Sequence, residues 1–403
     1  MKENKSPLSH EREGNSNKKR GARLKSLIIL AFVIILATIA SLLVILPGKS
    51  FANGFTLYAK SCWKGSRQVA YPYLSDHDEI LAVKKIGSGL EILDANELRT
   101  LNSEGKELFV LKHSFVNPGL EVNRGKAILF DRQNGRVKVL GRYGVFVEKE
   151  FEENILAVAI GKKNNWAVAG KRPGYSSVAR VYDKNGHEIF KQSFQNDRIS
   201  SLALSEDGKS LAVALIGAKD AALYSRLVVY DFGKEEAVGF LEYPDTAILK
   251  IAFGKNKSLA LVGDNYCGFV NLKDFSKSDN YLAHGKLKDY SFSERGKLSV
   301  LMAEKGSGGQ TTLTVFDYDG HILFEEKLDA TARSLSSDEI YTGVLLGDSY
   351  LTFSGKGTLL GKRETGKFTF GIVTVGKDTY ELEKRSVFKN LTLGFYEGSG
   401  KEG

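Results

Sequence analysis

Two kinds of hairpin alternate along this chain, and their spacing restricts its fold more than any other feature. The first kind is clearest in VYDKNGHEIF (181–190) and VFDYDGHILF (315–324), with LNSEGKELF (101–109) as a looser copy. Asn-Gly and Asp-Gly supply the positive φ that a tight turn between two strands requires. Related strand–turn–strand stretches lie near Leu140, Tyr230, Leu272 and Gly361. The anchors 101, 140, 182, 230, 272, 316 and 361 are 39 to 48 residues apart. The second kind is an alternating strand, a polar turn and another strand, as in SLALSEDGKSLAV (201–213). It recurs in LEVNRGKAILFD (120–131), AVAIGKKNNWAVAG (157–170), IAFGKNKSLALVG (251–263) and YSFSERGKLSVLM (290–302). Each is followed by a hairpin of the first kind.

Two hairpins per period means four short strands per repeat, which is the organisation of a propeller blade. One blade cannot bury both of its faces, so blades must stack around an axis. The predicted fold is therefore all-β: a β-propeller of four-stranded blades over residues 67–396, preceded by a single transmembrane helix. Seven anchors predict seven blades. Extra strand-like runs in 51–73 and 377–396 either complete one blade from both termini or form an eighth. A pair of sandwiches and an open solenoid are the rival architectures. With 42 Gly and only 6 Pro among 403 residues, the composition fits many tight turns between strands.

Leu27 to Leu46 is uncharged, with only Thr38 and Ser41 polar. Twenty helical residues at ~1.5 Å each span about 30 Å, the thickness of a bilayer's hydrocarbon core. A membrane helix is accordingly predicted over 26–47. Residues 1–26 hold eight Lys/Arg against three Glu, whereas 48–64 carry only Lys49, Lys60 and Lys64. By the positive-inside rule the N-terminus is cytoplasmic and the large domain extracytoplasmic. Ser50-Phe51-Ala52 leaves open a cleaved signal peptide, although the apolar run is longer than such segments usually are. The basic tail (1–25) is predicted to be disordered, residues 48–66 are a linker or first strand, and 397–403 a disordered end. Beyond the tail, 49 basic residues face 45 acidic ones. The overall charge of +9 thus comes largely from the tail and gives no argument for nucleic-acid binding.

No motif in the chain points to catalysis. GKGTLLGKR (355–363) lacks the spacing of a phosphate-binding loop, and Ser307-Gly308-Gly309 reads as a loop between strands. His187 and His321 occupy equivalent turns of different blades and cannot share one ion, while His10, His113 and His284 are isolated. Asp76-His77-Asp78-Glu79 is the one dense cluster of ligand types, and it reads first as a solvated turn before a strand. Asp317-Tyr318-Asp319-Gly320 begins like a calcium loop but lacks the remaining ligands. No nucleophile motif is present, and Asn390-Leu391-Thr392 is a chance match to a glycosylation acceptor. Two cysteines, Cys62 and Cys267, exclude a disulfide framework and leave a single bridge or two thiols. No catalytic, cofactor-binding or metal-binding residue is assigned, and no cofactor is expected.

The order of stretches across 24–375 resembles a family of uncharacterised Gram-positive membrane proteins with an anchor helix and an extracytoplasmic propeller. The stretches that carry it are the membrane segment, NSEGKELFVLKHSFVNPGLEV (102–122), GKAILFDRQNGRVKVL (125–140), VARVYDKNGHEIF (178–190) and ISSLALSEDGKSLAVAL (199–215). The last is also similar to blades of WD40-type and quinoprotein-type propellers. The Trp-Asp dipeptide of WD40 repeats is absent. Only Trp63 and Trp166 occur, so the repeated blade tryptophans of quinoprotein dehydrogenases are missing. The resemblance implies a fold and no activity.

These observations predict a single-pass protein of the cytoplasmic membrane whose propeller is a non-catalytic scaffold for a protein or polymer of the cell envelope. A small-molecule receptor and an enzyme with a site dispersed over several blades are the alternatives. A deep pocket with convergent carboxylates or histidines would favour the last.

Overall fold

The computed structural model describes residues 71–76, 79–255, 257–281, 285–294, 296–304 and 310–391. The predicted tail (1–25), membrane helix (26–47), linker (48–66) and C-terminal residues 397–403 lie outside the described residues. Among the described residues no helix is long and apolar enough to cross a membrane.

The described chain forms eight four-stranded antiparallel sheets. Blades 1 to 7 take their strands in chain order from the inside outward, over residues 80–112, 118–150, 155–194, 198–244, 248–281, 285–328 and 334–364. Blade 8 takes its inner three strands from Gly371–Val375, Asp378–Leu382 and Ser386–Leu391. Its outer strand is Tyr73–Leu74, paired as Tyr73↔Val387 and Leu74↔Ser386. The two ends of the propeller thus share one sheet, and opening the ring would break it.

Seven blades were expected, and the structure corrects this to eight. The seven anchors each mark the hairpin between the third and outer strands of blades 1 to 7. Blade 8 has no such hairpin, because its outer strand arrives from the other end of the chain. Within the two terminal segments, Tyr73–Leu74 and the strands Asp378–Leu382 and Ser386–Leu391 both complete a blade and add the eighth, while 51–70 and 392–396 lie outside the described residues. The second kind of hairpin joins the inner and second strands, as its position before the first kind predicted.

The core is eight separate apolar clusters rather than one. Each lies between neighbouring blades. Leu93 and Leu98 of blade 1 meet Ala127, Leu129 and Leu140 of blade 2. At the closing seam Val373, Val375, Tyr380 and Leu382 of blade 8 meet Val83, Leu90 and Ile92 of blade 1. Second strands are covered on both faces, so Gly89–Asp94 and Ser258–Gly263 are buried throughout. Outer strands such as Ile322–Leu328 are largely exposed. This explains why the second strands read as continuous apolar runs and the outer ones as mixed.

The recurring turn has a definite mechanism. In blade 3, Asp183 Oδ1 accepts the backbone N–H groups of Asn185 (2.8 Å) and His187 (2.9 Å). Asp317 does the same for Asp319 and His321 in blade 6, and Asn102 for Glu104 and Lys106 in blade 1. In blade 7 Ser354 Oγ takes the role toward Lys356 and Thr358. Gly105, Gly186, Gly320 and Gly357 carry the positive φ at the equivalent position.

Candidate functional site: the central channel and the link face

The propeller has two unlike faces. One carries the turns between inner and second strands and between third and outer strands; it is called the hairpin face. The other carries the links from one blade to the next and the turns between second and third strands; it is called the link face.

On the hairpin side, blade 2 reaches across the channel. Arg124 sits in the turn after the blade 2 inner strand with φ 49. Its backbone N–H donates to Glu294 Oε1 at 2.8 Å, and its guanidinium donates to the Glu294 carbonyl at 2.9 Å. Glu294 lies on blade 6, diametrically opposite in a ring of eight. The guanidinium also pairs with Glu206 of blade 4. Deeper in, Lys250 Nζ of blade 5 donates to Glu121 Oε1 of blade 2 at 2.6 Å. Burial works to lower the Lys250 pKa, but the Glu121 charge and hydrogen bond outweigh it and the net shift is upward. Lys250 lies deep in the molecule, yet 28% of its side-chain surface faces the lumen.

These bridges form a septum that divides the channel into two chambers. The smaller, about 160 Å³, has walls from blades 3 to 5 that include Ile160, Leu202, Leu204 and Phe253. The larger, about 460 Å³, is walled mainly by blades 1, 6, 7 and 8 and includes Lys84, Asp289, Ser291 and Ser336. Five carboxylates converge on the larger chamber, and each has structural partners; Glu294 accepts the Arg124 N–H. Glu121 holds Lys250. Asp289 accepts the N–H groups of Leu335 and Tyr290, both at 2.8 Å. Asp338 accepts those of Ile340, Tyr341 and Gly376. Glu339 pairs with Lys85 at 2.9 Å. Side chains also stitch inner strands together. Ser201 Oγ accepts from Ile251 N, Ser291 Oγ from Ser337 N, and Ser336 Oγ from Thr374 N. They satisfy N–H groups on strand edges that have no sheet partner toward the channel.

The link face exposes several apolar side chains. Five inner strands begin with a bulge, at Leu81, Leu156, Ser200, Leu249 and Lys288. Leu81 is 47% exposed and Leu249 40%. The links add Val116 at 65%, Phe368 at 74% and Phe370 at 51%. Three links are clamped by one hydroxyl each. Ser225 Oγ donates to the Thr246 carbonyl (2.7 Å) and accepts from Ile248 N (2.9 Å). Ser177 brackets Asp197 and Ile199 in the same way, and Thr311 brackets Ala330 and Ala332. Each hydroxyl stands six residues before the aspartate that opens the next hairpin: Asp183, Asp231 and Asp317. This Ser/Thr-x5-Asp spacing was available in the sequence and was missed.

The residues weighed from sequence are scattered. His187 and His321 each pair with the aspartate four residues earlier, at 3.2 and 3.0 Å, on separate exposed turns. His113 is half-buried beside Phe115, and burial lowers its pKa. Asp76 lies 3.9 Å from Arg99, and His77, Asp78, His10 and His284 lie outside the described residues. Among the described residues no group of three ligating side chains could hold a metal ion. Cys267 is fully buried between blades 5 and 6, where burial pushes its thiol up to about 12; Cys62 lies outside the described residues. Gly355 to Thr358 is the blade 7 hairpin turn. Asn390 bonds Glu381 within blade 8, while Thr392 and Ser307-Gly308-Gly309 lie outside the described residues.

Solved structures with the same fold include the C-terminal WD40 domain of Sif2, with TM-score 0.56, 13% identity, and coverage of 80% of this chain and 97% of that one. BamB from Moraxella catarrhalis aligns with TM-score 0.51 and 14% identity, over 80% of this chain and 98% of that one. The quinohemoprotein alcohol dehydrogenase ADHIIG from Pseudomonas putida aligns with TM-score 0.52 and 10% identity, over 80% and 76%. At such identities the likeness concerns the fold alone. No curated protein matches the chain in sequence. A family profile matches residues 69–380, and on that basis the chain belongs to the family of unknown function DUF5711.

Proposed function

We propose that this protein is a membrane-tethered, extracytoplasmic docking module whose link face binds a protein of the cell envelope without catalysing a reaction on it. The observation that carries this reading is the set of exposed apolar side chains on one face, Leu81, Val116, Leu249, Phe368 and Phe370. Clusters of exposed apolar groups on a rigid surface favour association, and aromatic side chains contribute most to binding energy at such surfaces. The hydroxyl clamps at Ser177, Ser225 and Thr311 hold the links in place before a partner arrives, which lowers the entropy cost of docking. The tether rests on the uncharged segment 27–46 and the basic flank before it.

The test is photo-crosslinking in native membranes from position 368, followed by mass spectrometry. A reproducible envelope protein, lost in Phe368→Ser/Phe370→Ser, is expected. Crosslinks no richer than those from Lys377 on the hairpin face would overturn the reading, as would turnover of a glycoside or peptide by the purified protein.

A further inference from the structure

We propose that the larger channel chamber is a binding site for a small zwitterion, with the size and charge pattern of a free amino acid or a dipeptide. Most charges around the chamber are spent on the fold. Lys250 is paired with Glu121, and Lys85 with Glu339. Asp338 is satisfied by three backbone N–H groups, and Glu294 is bonded by Arg124. Apart from Glu294, whose carboxylate is held by the Arg124 N–H within the septum, two charges have no ion-pair partner. Lys84 of blade 1 lines the chamber and is exposed. Asp289 of blade 6 lines it from another side; burial raises its pKa, opposed by its two backbone N–H bonds and the Lys84 charge. Neither forms an ion pair within 4.0 Å with any described residue.

This arrangement differs from a salt bridge in a decisive way. Two opposite charges face one lumen from separate blades and form no ion pair with each other. Each Asp289 oxygen accepts one backbone N–H, and a carboxylate oxygen has room for a second donor. Ser291 and Ser336 accept N–H groups through Oγ, leaving their hydroxyl protons to donate elsewhere. The chamber therefore offers an ammonium and hydroxyl donors to an anionic group, and a carboxylate to a cationic one. A ligand carrying both charges satisfies both ends. Acetate or a simple amine satisfies one and leaves the other unpaired, while a neutral polyol gains hydrogen bonds but no charge pairing. Charge pairing inside a protein cavity is stronger than on an open surface, because the effective dielectric is lower. A volume of about 460 Å³ falls in the usual range for small-molecule sites, ~300–1,000 Å³.

The experiment is isothermal titration of the full-length protein in detergent micelles. The probes are glycine, L-alanine and glycylglycine, with acetate, methylammonium and xylitol as single-feature controls. At least one zwitterion is expected to bind about tenfold or more tighter than every control, a difference of about 1.4 kcal/mol. Lys84→Met should weaken that binding about tenfold without changing the melting temperature, because Lys84 forms no ion pair in the fold. Asp289→Asn should weaken it too, and Lys377→Met on the hairpin face should leave it unchanged. The proposal is overturned if no zwitterion binds at millimolar concentration, if xylitol or acetate binds as well, or if Lys84→Met binds like the parent protein. These outcomes do not depend on whether the link face has a protein partner.

Discussion

Lys250 and Glu121 join blades 5 and 2 through a 2.6 Å hydrogen bond across the channel. The pair is not an interface between neighbours, because two blades stand between them. It is a strut, and with Arg124 and Glu294 it divides the channel. Lys250→Met should therefore destabilise the propeller by about 1–3 kcal/mol, since Glu121 keeps its charge without a partner inside the protein. Contact with the lumen keeps the loss below that of a fully dry pair. The double variant Lys250→Met/Glu121→Gln should recover part of the loss. Urea unfolding of the parent, Lys250→Met, Glu121→Gln and the double variant checks this, and a double-variant loss equal to the sum of the two single losses would show that the strut carries no coupling.

Glu91 predicts an unusual dependence on pH. It is fully buried in the second strand of blade 1; Oε1 accepts from Thr100 Oγ1 at 2.9 Å, while Oε2 has no partner. Burial, opposed by the Thr100 hydrogen bond and Arg142, pushes its carboxyl up to about 8. Below the ordinary value of 4.5 both folded and unfolded states hold the proton, and pH has no effect through this group. Between 4.5 and about 8 only the folded state holds it, so stability falls as pH rises. Above about 8 the folded state ionises too and the decline levels off. Glu91→Gln should remove this slope and raise stability at pH 8 by a few kcal/mol, on the order of one to three. Parallel slopes for the two proteins across pH 5–8 would refute it.

The hydroxyl clamps should be visible one at a time. Ser225 is completely buried and serves both the Thr246 carbonyl and the Ile248 N–H. Ser225→Ala leaves two buried backbone groups without partners and should cost about 1–3 kcal/mol. Ser225→Thr keeps the hydroxyl and tests whether the bond or the volume matters. Hydrogen exchange at Ile248 should quicken in the alanine variant and not at the blade 8 seam.

The link face makes the opposite prediction. Phe368→Ser/Phe370→Ser should change folding stability only modestly, by about 0.5 kcal/mol for Phe368, which is 74% exposed, and by about 1 kcal/mol for the half-covered Phe370. Partner capture should nevertheless fall. A large drop in melting temperature would mean that the rings pack in the fold and are not a docking surface.

Much of the architecture was legible because hairpin chemistry is local. Asp183-Lys184-Asn185-Gly186-His187 closes its own turn with its own atoms, so the motif reports the hairpin wherever it occurs. The same logic found blades 1 to 7 and failed at blade 8, where Leu74 meets Ser386 across 312 residues of sequence. Ser354 was overlooked because a serine does in that turn what aspartate does elsewhere. The channel was illegible for a different reason. Lys84, Glu121, Lys250 and Asp289 stand on four blades, and nothing about the sequence near any one of them signals the others.

By itself the sequence determined the all-β class, the four-strand period, the turn chemistry and an uncharged segment long enough to span a bilayer. These follow from side-chain alternation, glycine conformations and hydrophobicity, which act over a few residues. Only the tertiary structure decided the number of blades, the shared seam, the septum and the two unlike faces. Those depend on how many twisted sheets close a ring and on which side chains the closed ring brings together. Both are set by packing between blades, and packing joins residues that are remote along the chain.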